Sequence, residues 1–163
     1  MRSIFDEGAT IRAYVDVERA VTQSQGDLDI IPKDAASAIA DRISAAHVDL
    51  AKLQRDTRHV GRPIVGLVEQ LAKQVPDEHA RWVHYGFTTY DVMDTATSLQ
   101  TKRATAELQS ELTELRAQFE TLAQTHRDTL MIGRTNGQHA QPTRSSLAEW
   151  SAHSLHSMTG ASN

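Results

Sequence analysis

Three short polar stretches hold most of the side chains able to do chemistry. The first is Asp56-Thr57-Arg58-His59-Val60-Gly61-Arg62-Pro63, the second His84-Tyr85-Gly86-Phe87-Thr88-Thr89, and the third Gly133-Arg134-Thr135-Asn136-Gly137-Gln138-His139-Ala140-Gln141-Pro142. The second leads into a long helical pattern. At such an N-terminus the free N–H groups and the helix dipole favour an anion. With two threonine hydroxyls and the His84 imidazole, it suits a carboxylate or a phosphate. The third brings together the guanidinium of Arg134, the hydroxyl of Thr135, the amides of Asn136 and Gln138 and the imidazole of His139. Histidine titrates near neutral pH, so His59 and His139 are candidates for acid/base work. A site built from these groups would take a small polyanion.

Each stretch alone also has a plainer reading. Thr88-Thr89 before a helix is commonly a cap. His59 beside Arg58 and Gly61 fits a solvated loop residue, and Gly137 and Pro142 fit a turn. His153 and His156 share one helical face, but two histidines without a carboxylate are a weak metal signal. No phosphate-binding glycine loop, dinucleotide fingerprint or HExxH pattern occurs. No metal and no cofactor is expected.

The positioning elements read as helices. Over residues 8–25, Ile11, Tyr14, Val17 and Val21 recur at helical spacing, and Gly26 is expected as the C-cap. A second helix is expected from Lys33 to Arg55, with Ile39, Ile43, Ala46, Leu50 and Leu53 as a seam of coiled-coil type. A third is expected from Ile64 to Gln74, with Ile64, Leu67, Leu71 and Val75 on one face. A short helical piece follows from Pro76-Asp77 to about Val83. From Tyr90 to about Arg127 there is neither Gly nor Pro, and Leu108, Leu112, Leu115, Phe119 and Leu122 keep three-four spacing. That predicts a helix about 55 Å long, a length usual in bundles. A last helix is expected from Thr143 through Trp150 towards Met158. No period-two strand pattern is apparent. The expected class is all-α, with an N-terminal helical domain over 1–88 and the first long helices of a bundle over 89–163.

Composition narrows the setting. Lys plus Arg is 17 and Asp plus Glu is 21, a net charge of −4, which argues against a broad electrostatic grip on nucleic acid. No apolar run reaches the roughly 18 to 20 residues of a membrane span, so no membrane association is expected. With no cysteine, disulfides and thiol nucleophiles are excluded, and a cytoplasmic setting is expected.

Taken together, the stretches resemble a known family. His84-Tyr85-Gly86-Phe87-Thr88-Thr89-Tyr90-Asp91-Val92-Met93-Asp94-Thr95-Ala96 resembles the H-Y/F-G-x-T-S-x-D-V-x-D-T-A run of adenylosuccinate lyases, in the fumarase/aspartase superfamily. Gly133 to Thr143 is similar to their G-R-T-H-G-x-H-A-x-P-T segment, and Asp56-Thr57-Arg58-His59 to their T-R/K-H element. Ser3-Ile4-Phe5-Asp6 through Val17-Glu18 and on to Ile31-Pro32 looks more like 3-carboxy-cis,cis-muconate cycloisomerase of the same superfamily. The resemblance implies a proton abstraction beside a carboxylate, an aci-carboxylate carbanion, and departure of the leaving group from the next carbon. It implies adenylosuccinate-lyase-like release of fumarate from a succinyl-amine, with a cycloisomerase-like reaction as the alternative. It also implies a dicarboxylate-containing substrate and a homo-oligomer, tetrameric in the parent enzymes. By it, His59, Asn136 and His139 stand at catalytic positions, and His84, Thr88, Thr89, Arg134, Thr135 and Gln138 contact substrate.

The sequence departs from the family pattern in four places. Asn136 stands where adenylosuccinate lyases carry the general-acid histidine, and an amide cannot deliver a proton at neutral pH. That leaves His59 or His139 as acid, or a different leaving group. Thr89 replaces a serine and keeps the hydroxyl. Arg144-Ser145-Ser146 departs from the T-x-G type continuation. No segment matches the family's G-S-S-x-M-P loop with its general-base serine, so the chain reads as part of a larger enzyme, inactive alone. A non-catalytic helical oligomerisation module is the remaining alternative.

Overall fold

The computed structural model describes residues 2–144. It forms two compact units, one through Ala104 and one from Thr105 onward.

The first unit is helical: α1 (Arg2–Phe5), α2 (Glu7–Asp27), α3 (Lys33–Arg42), α4 (Leu50–Val60), α5 (Pro63–Ala72), α6 (Asp77–Ala80) and the start of α7 (Thr89–Thr125). Its core is aliphatic. Ile39, Ile43, Ile64, Leu67 and Leu71 are all buried, and Ile11, Tyr14, Val17 and Val75 join them. These are the faces expected from the spacing of α2 and of the Ile64 to Val75 stretch. Burying each large aliphatic side chain stabilises the fold by about 1.5–3 kcal/mol.

Two expectations give way here. Gly26 is not a C-cap: α2 runs on to Asp27, Leu28 is its cap, and the left-handed residue is Asp29, at φ 54°. Gly26 is needed for its size instead, since a Cβ there would lie 2.5 Å from Ala36 Cβ. The helix expected from Lys33 to Arg55 breaks into α3, a 3-10 turn at Ala45–His47, and α4. Ser44 and Asp49 are extended. Ile39, Ile43 and Leu53 of the expected seam are buried, but Ala46 and Leu50 are exposed.

The break is stable because side chains distant in sequence take over the lost backbone bonds. Arg19 donates to the carbonyls of Ala40 (3.0 Å) and Ile43 (2.6 Å). Gln74 Oε1 accepts from Ser44 N–H (2.7 Å), while its Nε2 donates to Ser44 O (3.2 Å). Gln70 does the same for Asp49, at 2.8 and 3.2 Å. Each glutamine thus copies a strand neighbour by offering one acceptor and one donor to the N–H and C=O of a single residue.

The helix α7 has 37 residues, about 55 Å at 1.5 Å per residue, close to the expected span. Its last part lies in the second unit. The end of the chain's described part is not helical. Leu130–Thr135 (β1) and Gln138–Arg144 (β2) form an antiparallel hairpin, although no strand was expected. The last helix, expected from Thr143, does not begin there, because Thr143 and Arg144 belong to β2. Its remainder, with Ser145, Ser146, His153 and His156, lies outside the described residues. The fold remains all-α in class, with this one small sheet. Among the described residues no helix is long and apolar enough to cross a membrane.

The glutamine stitching is testable. Gln74→Leu keeps the volume and removes both bonds to Ser44, leaving two peptide groups unmet. Denaturant unfolding should report a loss of about 1–3 kcal/mol for each group left unmet. An unchanged midpoint would show that the α3–α4 connector does not depend on Gln74.

Candidate functional site

In the first unit, two of the three polar stretches meet. The first is not wholly a loop: Asp56 to Val60 form the last turns of α4, which ends on Gly61. His59 is exposed in that last turn. Arg62 follows, just before Pro63 opens α5. Its guanidinium lies 3.4 Å from Thr89 Oγ1 and 5.1 Å from the centroid of the Tyr90 ring. A cation therefore sits at the head of α7, beside a hydroxyl and the helix N-terminus. In the sequence Arg62 stands out only as part of a polar break. Nothing local in the sequence marks it as a partner of Thr89, 27 positions on.

The head of α7 is capped from within. Asp91 Oδ2 accepts from the Thr88 N–H at 2.7 Å, the reciprocal half of a capping box. One free N–H is thus already taken, and those of the following residues stay open to an anion. His84 precedes this cap with φ 59°, in the left-handed region. Its Nδ1 is 2.7 Å from Glu18 Oε1, and Glu18 is fully buried in α2. Its ring lies 4.4 Å from that of Phe87, centroid to centroid. Gln25, two helical turns after Glu18, donates to the Tyr85 carbonyl at 2.7 Å. So α2 holds the His84 stretch at two points.

Beside the end of α4 is a cavity of about 410 Å³, lined in part by Tyr14, Leu53, Thr57 and Arg58. Burial pushes the Tyr14 phenol up from its ordinary value, so it stays a donor at neutral pH.

In the second unit, the third polar stretch is ordered more sharply than expected. Asn136 and Gly137 have φ 48° and 73° and form the two-residue turn of the hairpin. Positive φ at both positions is the type I′ signature. Thr135 pairs with Gln138, and Arg134 with His139. Because side chains alternate across a strand, these two pairs face opposite sides of the hairpin. What reads in sequence as one cluster of donors is two sets, an Arg134/His139 face and a Thr135/Gln138 face. Arg144 pairs with Asp128 at 3.1 Å near the hairpin base. Among the described residues, no group of three or more His, Asp and Glu is placed to hold a metal ion.

The turn makes a direct prediction. No atom lies within 4 Å of where a Cβ on Gly137 would be, so only its backbone freedom matters. Gly137→Ala should destabilise the hairpin by about 1–2 kcal/mol, read as faster amide exchange in β1 and β2, whereas Asn136→Gly should leave exchange nearly unchanged. Equal exchange in both variants would refute the turn assignment.

A family model described as Lyase matches residues 2–160. The adenylosuccinate lyase of Methanothermobacter thermautotrophicus is 38% identical over 146 residues, covering 88% of this chain and 32% of that protein. The nitrosuccinate lyase of Streptomyces davaonensis is 38% identical over 160 residues, covering 95% of this chain and 33% of that protein. The 3-carboxy-cis,cis-muconate cycloisomerase of Bradyrhizobium diazoefficiens is 35% identical over 145 residues, with coverage of 87% and 32%. Among solved structures, a fumarate lyase from Mesorhizobium sp. BNC1 superposes with a TM-score of 0.88 at 36% identity, covering 98% of this chain and 38% of that one. The chain spans about a third of the length of these curated relatives.

Proposed function

The chain belongs to the lyase family, in the fumarase/aspartase superfamily, and from that premise we propose that it serves a β-elimination releasing fumarate from a substituted succinate, in the manner of adenylosuccinate lyase. The observation that carries this reading is the head of α7, where the Arg62 guanidinium, the Thr89 hydroxyl and the helix N-terminus meet. These groups suit a carboxylate or phosphate of a polyanionic substrate. The names adenylosuccinate and nitrosuccinate share a succinate skeleton bearing a nitrogen group, and only the leaving group differs.

In this reaction a base takes the proton from the carbon beside one carboxylate. The C–H electron pair moves onto that carboxylate as an aci-anion. It then returns to form the carbon–carbon double bond as the C–N bond breaks, and an acid protonates the departing nitrogen. Negative charge grows on the carboxylate, so preorganised donors there lower the barrier. His84, Thr88 and Thr89 would hold one anionic group. Thr135 and Gln138, sharing a hairpin face, would hold the second carboxylate. His139 then faces the other side of the hairpin with Arg134, so the acid role falls to His59, exposed at the end of α4. Arg134 and His139 would act on the remote part of the substrate, and Asn136 supplies the turn. The base is assigned to none of these residues.

The second unit bears on partners. Leu108, Leu112, Leu115 and Leu122 on α7 are 39–51% exposed, and Leu130 to Ile132 of β1 are exposed as well. An apolar stripe of this kind on a soluble chain calls for a covering surface. Self-association through α7, as a homo-oligomer and in the tetrameric form implied by the family resemblance, supplies one. Light scattering should then give a mass above that of one chain. A monomer at micromolar concentration would refute it.

Activity is tested with the protein in its full natural length, following fumarate absorbance with adenylosuccinate and nitrosuccinate. Fumarate from either supports elimination. Turnover of a carboxymuconate with no fumarate from the succinates would replace this reading by cycloisomerisation, and neither reaction in a self-associating protein would leave an oligomerisation module. If elimination holds, His59→Gln should lower kcat by about 10²–10⁴-fold, and His139→Gln by far less. The reverse order would move the acid to His139.

A further inference from the structure

Glu18 is an odd residue for the interior of α2. It is fully buried, yet only Oε1 has a partner, the His84 Nδ1 at 2.7 Å. Its other oxygen, Oε2, makes no hydrogen bond among the described residues. Burying a carboxylate with one oxygen unmet is unfavourable, and an aliphatic side chain would pack α2 without that penalty. The group it holds is in an uncommon backbone conformation as well: His84 sits at φ 59°, a region that non-glycine residues visit infrequently, histidine more often than most. The surrounding contacts help to hold it there. Here those contacts come from one face of α2: Glu18 grips the ring, and Gln25, seven residues on, grips the next carbonyl.

We infer that Glu18 is a positioning residue that fixes the orientation and proton location of His84, holding the proton at Nδ1 so that Nε2 is the atom offered to the substrate. The hydrogen bond made by one ring nitrogen sets the state of the other. With Nδ1–H on the buried carboxylate, the ring can neither flip nor migrate its proton freely. In the imidazolium form Nε2–H donates to an anionic oxygen, and the Glu18 carboxylate balances the charge. The inference rests on the reading of His84 as a substrate contact, and it adds the group that makes His84 fit for that contact.

The test is heteronuclear NMR of the histidine rings in the full chain, with sodium fumarate as the probe. In the unaltered protein the His84 Nδ1 signal should lie in the protonated range, and fumarate should shift the Nε2 signal. In Glu18→Met, close in length but without an oxygen to accept from Nδ1–H, the protonated Nδ1 signal should be lost or averaged. The backbone spectrum away from residues 82–88 should stay the same, and fumarate should bind about tenfold more weakly. An unprotonated Nδ1 in the unaltered protein overturns the inference, and this measurement stands even if Glu18→Met fails to fold. A ring spectrum unchanged by Glu18→Met, or fumarate binding unchanged despite an altered ring, also overturns it, leaving Glu18 as a packing anchor. A protonated Nδ1 with no response to fumarate overturns the substrate role of His84 itself, and so separates failure of that reading from failure of the Glu18 assignment.

Discussion

A backbone group that leaves a helix inside a protein must find another partner, and the first unit depends on how this is met. Its polar stretches interrupt helices packed on an aliphatic core. Long polar side chains from neighbouring helices supply the missing bonds: Arg19 to the carbonyls ending α3, Gln70 and Gln74 to the peptides of Asp49 and Ser44, and Gln25 to the carbonyl of Tyr85. Unmet, such groups would cost about 1–3 kcal/mol each, enough to remove much of the stability of a small domain. Satisfied by side chains rather than by water, they place the stretches rigidly. The same device that lets the chain turn therefore gives His84 and the head of α7 fixed positions, which a binding site requires.

The parts of this fold that were legible in the sequence are those set by local periodicity. Ile64, Leu67, Leu71 and Val75 share one buried face because four apolar side chains at three-four spacing have one stable placement. The absence of Gly and Pro between Tyr90 and Arg127 likewise allowed a single long helix. The break between α3 and α4 was not legible, because the groups that stabilise it lie 21 to 30 residues away. A seam of Ile39, Ile43, Ala46, Leu50 and Leu53 scores as helix whether or not the chain kinks within it. Gly26 had two physical uses, a cap or a close approach, and only the position of Ala36 decides between them. For the site, the residue types were legible and their grouping was not. Arg62 meets Thr89, and Glu18 meets His84, through tertiary packing alone.

The hairpin shows a different blind spot. Asn-Gly is the strongest short-range signal for a two-residue turn, and it was present at 136–137. In sequence it reads as a polar loop because its strands do not alternate. Leu130, Met131 and Ile132 are consecutive and all exposed, and Gln138 to Gln141 carries no large apolar residue. Alternation arises when one face of a sheet packs on a core. In the second unit as described, Ala123 is the one buried hydrophobic residue, so no such face exists within it. The missing periodicity and the exposed leucines of α7 then have one cause: this unit's apolar surface is of a kind buried between elements, and its own described residues do not bury it.

Asn136 brings backbone and chemistry to the same residue. Its left-handed φ favours asparagine, but histidine is also enriched in that region among non-glycine residues. The turn would therefore accept the histidine that adenylosuccinate lyases carry in the similar segment, and the backbone alone does not account for the amide. What the amide changes is proton transfer. Under the proposed elimination, with the donors of the Thr135/Gln138 face assigned to a carboxylate and no ionisable group at the turn, the reaction must either draw its acid from another stretch or expel a group that needs no proton. A nitrogen leaving group of low basicity, such as a nitro group leaving as nitrite, meets the second condition, whereas an amine meets only the first. The identity of residue 136 thus bears on the leaving group more than on the fold, and within the proposed elimination it is where substrate preference would be decided.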